Sequence, residues 1–258
     1  LNEQSQGLGF SNLIYLHMRL EEFYKSVDDS KVNVFFIEEP ESHMHPQMQN
    51  VFIRFLTKYY TEKKLQGLIT THSNEIARSV GLNSLRVIRQ TEKSKSELFN
   101  LSKFRKSIEN KKVKNVDEES EFLLQNFFDW FFEIGYSELI FADKVILYEG
   151  DTERLYIRKL LGMTEFASLR DNYIAFIQVG GAYAHNYLEI LTMLKMKSLI
   201  ITDLDYDKDA TTFETAKNST STNATINHCY RLIYPEKGTT YLPSIKEIYE
   251  MQTEKGTV

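Results

Sequence analysis

The chain has 258 residues, of which 42% are hydrophobic and 26% are charged, as is usual for a globular protein with a buried core. Its formal net charge of −5 argues against a uniformly basic nucleic-acid binder but leaves room for local basic patches. The single cysteine, Cys229, excludes an internal disulfide and a multi-cysteine zinc site, which fits a reducing cytoplasm. We find no membrane span or signal peptide, so we expect a cytoplasmic protein with no membrane partner. The chain starts at Leu1 inside a motif-like stretch, so we expect it to be a fragment of a longer protein.

Hydrophobic periodicity predicts a first α/β segment in residues 1–90. We expect helices over residues 10–24 and 47–60 and from residue 74. Short apolar strands are expected over residues 32–37, 67–71 and 85–89.

A charged stretch follows the first segment. Residues 91–121 are rich in Lys, Glu, Ser and Asn, which indicates a solvated linker or a surface hairpin. Residues 119–134 mix acidic and aromatic side chains, which favours a helix packed on a neighbouring domain.

A second α/β segment begins near residue 136. Strands are expected over residues 144–148, 173–179 and 198–202, with helices over residues 152–161 and 185–194. This β-α-β-α-β alternation predicts a parallel sheet flanked by helices. Residues 207–258 are polar, and we expect them to be less regular.

The first group of candidate site residues follows two strands of the first segment. Glu38 and Glu39 end an apolar strand, where one acid can hold Mg²⁺ and the next can polarise an attacking water. His72 ends another strand, where it can lie near a terminal phosphate. Upstream, Ser5 and Gly7 precede a helix whose N–H groups can face phosphate oxygens. Alone, each feature is more often structural, so the interpretation depends on their combined order.

The second group consists of four carboxylates. Glu149 ends a strand and Glu153 falls in the first turn of the next helix, while Asp203 and Asp205 follow a later strand. Ligand sites of parallel sheets lie at such strand ends. The side chains of residues i and i+2 in an extended segment point the same way, so those of Asp203 and Asp205 can face the same side of one site. Such a cluster needs protons or a hard cation such as Mg²⁺ to offset its repulsion. The structural alternative is that these are unrelated surface acids.

Smaller features of the second segment have more modest interpretations. Asp151 is either an outer metal ligand or, as we favour, a helix cap. Gly150 permits a tight turn, and Gly180-Gly181 suggests close backbone packing. Lys208 is a possible DNA contact, and residues 219–223 form a possible substrate-side loop. Tyr183 and His185 follow the glycines, where surface helix positions are the simpler reading.

The first group resembles the C-terminal half of an ABC-type ATPase head, in the branch of recombination and repair ATPases. The resemblance implies that Ser5 and Gly7 belong to the signature that binds nucleotide across a dimer. It also implies that Glu38 is the Mg²⁺-side acid, Glu39 the general base and His72 the switch residue. The chain contains no Gly-x-x-x-x-Gly-Lys-Ser/Thr phosphate loop, so ATP binding needs a loop outside this sequence.

The second group resembles a TOPRIM domain of the nuclease branch. An ABC-type ATPase half followed by TOPRIM resembles the overcoming-lysogenisation-defect (OLD) nuclease family, whose group includes the Gabija nuclease subunits. The resemblance implies that Glu149, Glu153, Asp203 and Asp205 bind Mg²⁺ or Mn²⁺ and carry catalysis. It implies ATP-regulated cutting or nicking of DNA, often in anti-phage defence, by a homodimer or larger homo-oligomer with a possible helicase-like partner.

We therefore expect an ATPase part over residues 1–90, a connection over 91–135 and a TOPRIM domain, incomplete at its C-terminus, over 136–258. An alternative function is a non-cleaving ATPase or DNA-binding clamp with a regulatory TOPRIM fold. A primase or topoisomerase is a third, although no tyrosine-nucleophile domain is evident.

Overall fold

A computed structural model of the chain describes residues 8–104, 106, 136–180, 183–206 and 212–254. The chain divides into two compact units, residues 1–141 and residues 142–258. Both units mix helices with strands. Within the described residues, no helix is long and apolar enough to cross a membrane.

The first unit alternates helices and strands, as predicted. Its elements are α1 (Leu8–Lys25), β1 (Val34–Glu38), α2 (Pro46–Glu62), β2 (Gln66–Thr70), α3 (Asn74–Ser84), β3 (Arg86–Glu92) and β4 (Lys95–Asn100), followed by a 3₁₀ turn (Tyr136–Ile140). Two helix starts are fixed by side chains, because His45 accepts a hydrogen bond at the start of α2 and Ser73 does so at the start of α3.

The core of the first unit forms between α2 and a parallel pair of strands. β1 pairs with β2 so that Phe35 lies opposite Gly67. A Cβ at Gly67 would lie 2.5 Å from the Phe35 ring, so this position needs glycine for the close approach. The α2 side chains Phe52, Ile53 and Leu56 are almost fully buried against this pair. The packed core therefore supports the carboxyl ends of both strands, where Glu38 and Thr70 lie side by side.

An antiparallel hairpin follows α3. β3 and β4 pair antiparallel, with an irregularity between Gln90 and Glu92. Of the two interpretations of residues 91–121, the surface hairpin is correct as far as Asn100, where β4 ends. The helix expected over residues 119–134 lies outside the described residues.

The second unit contains a three-stranded parallel sheet. Its elements are β5 (Lys144–Tyr148), α4 (Asp151–Leu161), β6 (Ile174–Gln178), α5 (Leu188–Met193), β7 (Lys197–Ile201), α6 (Phe213–Asn218), α7 (Ala224–Ile233) and α8 (Ile245–Glu254). The strand order is β6-β5-β7, and both pairings are parallel. The predicted parallel sheet is confirmed.

The central strand of this sheet is the most deeply buried. Val145, Ile146, Leu147 and Tyr148 all lie in the core. Their continuous apolar run is typical of a parallel strand that is covered on both faces. A rigid, buried strand therefore ends directly before Glu149.

The expectation that residues 207–258 are less regular is wrong for most of the described part of this segment, residues 212–254. It contains the three helices α6, α7 and α8. Its polar composition was misleading because some of its polar side chains start helices and others are buried within one. Thr212 caps α6 and Asn223 caps α7, while Thr225 and Asn227 are buried within α7.

Candidate functional site

The four candidate carboxylates follow β5 and β7, which are adjacent in the sheet. Tyr148 pairs with Ile201 at the carboxyl ends of the two strands. Because the strands are parallel and in register, Glu149 and Thr202 leave the sheet at the same edge. The fold itself therefore brings the Glu149 segment beside the Asp203 segment.

The Glu149 carboxylate is tied to β7 by hydrogen bonds. The Thr202 hydroxyl donates to Glu149 Oε1, and the Asp203 backbone N–H donates to the same oxygen over 3.4 Å. On the other side, the Gln178 side chain donates to the Glu149 backbone carbonyl over 3.3 Å. The last residue of β6 and the residues that follow β7 thus fix Glu149 between them. Neither Thr202 nor Gln178 was predicted as a site residue.

Glu153 lies in the first turn of α4, as predicted. Its carboxylate accepts a hydrogen bond of 2.9 Å from the backbone N–H of Gly150. A Cβ at Gly150 would lie 3.2 Å from this carboxylate, so glycine allows the close approach. The chain bends between β5 and α4, but Gly150 is extended there, with φ −137° and ψ 177°, so the bend does not need the backbone freedom of glycine. The preferred role of Asp151 as helix cap is wrong, because Gly150 occupies the N-cap position and Asp151 begins the helix.

Asp203 and Asp205 lie in the loop that follows β7. The strand ends at Ile201, and Asp205 has a left-handed backbone with φ +38°. The extended alternation from which we placed these two acids together therefore does not hold. The loop is instead held by hydrogen bonds: Thr222 N–H donates to the Asp205 carbonyl over 2.8 Å, and Asn223 Nδ2 donates to Asp205 Oδ2 over 3.0 Å.

The electrostatics of Asp203 connect all four acids. Its pKa is raised, first by partial loss of solvation and then by the negative charges of Glu149, Asp205 and Glu153. Like charges close to a carboxyl group favour its protonated form. The charges of Glu149, Asp205 and Glu153 therefore all act on Asp203.

The four acids do not form a ready-made metal cage. Among the described residues, no three His, Cys, Asp or Glu side chains are grouped to hold a metal ion. The carboxylates are instead held by hydrogen-bond donors, such as Gly150 N–H at Glu153 and Thr202 at Glu149. The donor set still suits a hard divalent cation, because carboxylate oxygens are its preferred ligands and a positive charge would relieve the repulsion at Asp203.

Asn223 is a site residue whose role the sequence analysis missed. It is fully buried, and its amide nitrogen reaches both Thr202 and Asp205. We placed it only in a possible substrate-side loop. An Asn directly before an apolar helical pattern is a helix-start signal that would have identified its capping role.

The ATPase-like residues of the first unit meet at the ends of β1 and β2. Glu38 is the last residue of β1 and is exposed. The Glu39 N–H donates to the Thr70 carbonyl over 3.1 Å, and Glu39 has a left-handed φ of +42°. His72 Nε2 lies 3.3 Å from Glu39 Oε1. The predicted general base and the predicted switch histidine are thus neighbours.

Glu41 supports this arrangement and was not predicted. Its Oε1 atom accepts hydrogen bonds from the Thr71 hydroxyl over 2.7 Å and from the His72 N–H over 2.8 Å. One carboxylate after β1 therefore fixes the backbone after β2. This helps to place the His72 ring beside Glu39.

The remaining predicted positions have mixed outcomes. Ser5, Gly7, Gly181 and Lys208 lie outside the described residues. Close packing at Gly180 is not found among the described residues, none of which, chain neighbours aside, lies within 4 Å of a Cβ built there. Tyr183 is exposed, as expected of a surface position, whereas His185 stacks on His228 at 5.4 Å and its N–H donates to Thr225 over 3.2 Å.

Comparisons with known proteins match both halves of the chain. Residues 1–77 match the model of an AAA ATPase domain, where the motifs had suggested the ABC type. Residues 140–205 match the TOPRIM domain of overcoming lysogenization defect protein-like proteins.

Named nucleases are among the relatives. Endonuclease GajA of Bacillus cereus (strain HuB5-5) is 30% identical over 227 residues, which cover 80% of this chain and 32% of that protein. Endonuclease GajA of Bacillus cereus (strain VD045) is 27% identical over 179 residues, covering 69% and 27%. OLD nuclease of Thermus scotoductus is 26% identical over 164 residues, covering 62% and 28%. The chain thus spans about a third or less of these relatives, and the recognised order of an ATPase segment before a TOPRIM segment is confirmed.

Proposed function

We propose that this chain, which is homologous to the GajA and OLD nucleases, belongs to an ATP-regulated, divalent-metal-dependent DNA endonuclease. Its TOPRIM segment would cut or nick the phosphodiester backbone. Its AAA-like ATPase segment would control that cleavage. The names of the relatives support a nuclease, and the geometry of the two groups of residues supports the finer assignment.

The observation that carries the proposal is the coupling of four acids at one sheet edge. The pKa of Asp203 is raised first by partial loss of solvation and then by the charges of Glu149, Asp205 and Glu153. A protein gains no stability from like charges held together, so such a cluster at the edge of a parallel sheet supports a functional site. The match of residues 140–205 to a TOPRIM domain supports phosphodiester hydrolysis as the reaction of that site.

Glu149, Glu153, Asp203 and Asp205 would hold Mg²⁺ or Mn²⁺. When bound, such ions activate water and stabilise the leaving oxygen of a phosphodiester. Glu149 would present a carboxylate whose position Thr202 and the Asp203 N–H fix. Glu153 would turn from the Gly150 N–H toward the other acids. Lys208 would contact the DNA backbone.

The ATPase segment would supply part of a nucleotide site. Glu38 would hold the nucleotide's Mg²⁺ and Glu39 would act as general base. His72, 3.3 Å from Glu39, would sense the terminal phosphate. Ser5 and Gly7 would contact nucleotide across a dimer. The phosphate loop would come from outside this sequence.

The proposed setting follows from these activities. The substrate would be DNA and the assembly a homodimer or larger homo-oligomer. A helicase-like protein is a possible partner, and anti-phage defence in the cytoplasm a possible role. These properties would belong to the whole protein, because the match covers only 32% of Endonuclease GajA of Bacillus cereus (strain HuB5-5).

The proposal is tested by incubating the full-length protein with supercoiled plasmid DNA and Mg²⁺ or Mn²⁺. We expect nicked or linear product that EDTA abolishes. Disturbing a residue that orients a metal ligand costs up to about 100-fold, and removing a ligand should cost at least as much. Asp203→Asn should therefore lower the cleavage rate by about 100-fold or more, whereas the control Asp171→Asn should cut at the wild-type rate. Glu39→Gln should remove the response to ATP. Nucleotide-dependent DNA association without cleavage would instead favour the non-cleaving clamp.

A further inference from the structure

Asn223 sits where the acid loop meets the start of α7. Its side chain is fully buried, and it occupies the N-cap position of that helix. Asn223 Oδ1 accepts hydrogen bonds from the backbone N–H groups of Thr225 over 3.0 Å and Ile226 over 3.1 Å. This half of the amide satisfies the helix start, a structural role that Ser, Thr or Asp would also fill.

The other half of the amide faces the acid loop. Asn223 Nδ2 donates to the Thr202 hydroxyl over 2.8 Å and to the Asp203 carbonyl over 2.9 Å. It also donates to Asp205 Oδ2 over 3.0 Å. Two amide hydrogens thus serve three oxygens, so the donor capacity of the group is fully used. Helix capping alone requires none of these three bonds.

The bond to Thr202 also determines how Glu149 is held. A hydroxyl has one hydrogen to donate. Because Asn223 donates to the Thr202 oxygen, the hydroxyl hydrogen is left to point at Glu149 Oε1. Asn223 therefore connects Asp205 directly, and Glu149 through Thr202, to the rigid start of α7.

Neighbouring residues reinforce this connection. The Ser221 hydroxyl donates to the Leu204 carbonyl over 2.7 Å and accepts from the Asn223 N–H over 3.1 Å. The Thr222 N–H donates to the Asp205 carbonyl over 2.8 Å. Asp205 has φ +38°, a backbone state that persists in a non-glycine residue only where its surroundings enforce it. The segment 221–223 supplies that enforcement.

We infer that Asn223 is the positioning residue of the carboxylate site, setting the places of Asp205 and Glu149 before a metal ion arrives. The inference rests on the proposed metal-dependent function. The identity of the residue matters, because an Asp at this position would cap α7 equally well but would put a fifth carboxylate beside Asp205. A Ser would cap the helix but would lack the second amide hydrogen and the reach to Asp205.

The test compares Asn223→Ser with wild type and with Thr212→Ala in the full-length protein. Thr212 caps α6 through bonds with Thr215, so its loss reports the effect of a missing cap alone. Hydrogen–deuterium exchange of the metal-free protein should show faster exchange over residues 202–206 in Asn223→Ser, with α7 unchanged. Thr212→Ala should leave residues 202–206 as in wild type.

A second measurement follows Mn²⁺ binding by calorimetry. Disturbing residues that orient metal ligands typically weakens metal binding by 10–100-fold, so we expect a loss of roughly that size in Asn223→Ser. The Mn²⁺ concentration for half-maximal cleavage should rise in parallel, with the rate recovering at high Mn²⁺. Wild-type exchange over residues 202–206 together with wild-type Mn²⁺ affinity would overturn the inference. If wild type bound no Mn²⁺ while the variant still loosened residues 202–206, the proposed metal function would fail and the positioning role would stand.

Discussion

Replacing Asp203 with Asn should make the metal-free protein more stable while disabling its site. The substitution removes one of four interacting negative charges and keeps the size of the side chain. The pKa of Asp203 is raised above its usual value of 3.8, which means that the folded state disfavours its charged form. The wild type therefore carries an electrostatic penalty at neutral pH that Asp203→Asn lacks.

The size of this penalty is limited by solvent. Two like charges 4 Å apart repel by about 4 kcal/mol at an effective dielectric of 20. Asp203 is exposed, and exposed charge pairs are worth only about 0.2–1 kcal/mol in practice. We therefore expect a gain of about 1 kcal/mol or less, or up to roughly 2–4 °C in melting temperature for a chain of this size.

Whether Asp203→Asn is more or less stable than the wild type depends on pH and on bound metal. Below pH 3.8 the carboxyl group is protonated in the folded and unfolded states, so the penalty is absent there. As pH rises through the raised folded pKa, the penalty appears, so the advantage of Asp203→Asn belongs to neutral pH. Mg²⁺ should reverse the order, because a ligand at 100 times its Kd stabilises the wild type by about 2.7 kcal/mol.

Thermal denaturation at pH 7, in EDTA and then in Mg²⁺, tests both predicted differences in stability between Asp203→Asn and the wild type. The control Asp171→Asn removes an exposed acid that precedes β6 and should match the wild type in both buffers. The reasoning would be refuted if Asp203→Asn melted below wild type in EDTA, or if Mg²⁺ stabilised it as strongly as wild type.

Three further predictions concern other parts of the chain. Burial raises the pKa of Glu247, but hydrogen bonds from Lys237, Tyr241 and Ser244 outweigh this effect and lower the pKa to about 2. Acid titration of the wild type should therefore show a loss of stability between pH 4.5 and 2, and Glu247→Gln should lack that loss. Leu147→Ala should lower the free energy of unfolding by about 2–5 kcal/mol in urea denaturation, because Leu147 is fully buried in the central strand. His72→Ala should abolish the effect of ATP on plasmid cleavage while leaving Mn²⁺ affinity unchanged, and a changed Mn²⁺ affinity would contradict its assignment to the nucleotide.

The sheet and its acids could be predicted because their signals are local. The apolar run that becomes β5 needs only its own residues to indicate a buried parallel strand, and Glu149 follows directly from where that run ends. The apolar run of β7 likewise ends just before Asp203, although β7 is less buried than β5. Parallel pairing then brings these ends together without any further information from the sequence.

The contacts that hold the acids could not be predicted in the same way. Asn223 meets Asp205 across 18 residues of chain, and nothing local to either residue indicates the contact. The left-handed backbone of Asp205 also has no local signal, since it is imposed by Thr222 and Asn223. Asp151 lost its expected capping role because Gly150 occupies the N-cap position and Asp151 already belongs to the helix.

The central claim is that Glu149, Glu153, Asp203 and Asp205 form one divalent-metal site. A crystal structure of the protein soaked in Mn²⁺, with anomalous diffraction to locate the ions, tests it most directly. We predict Mn²⁺ bound by carboxylate oxygens of Glu149 and Asp203, with Glu153 turned away from the Gly150 N–H to join them. Mn²⁺ bound elsewhere in the protein, with these four carboxylates keeping only their hydrogen bonds to protein and water, would contradict the account.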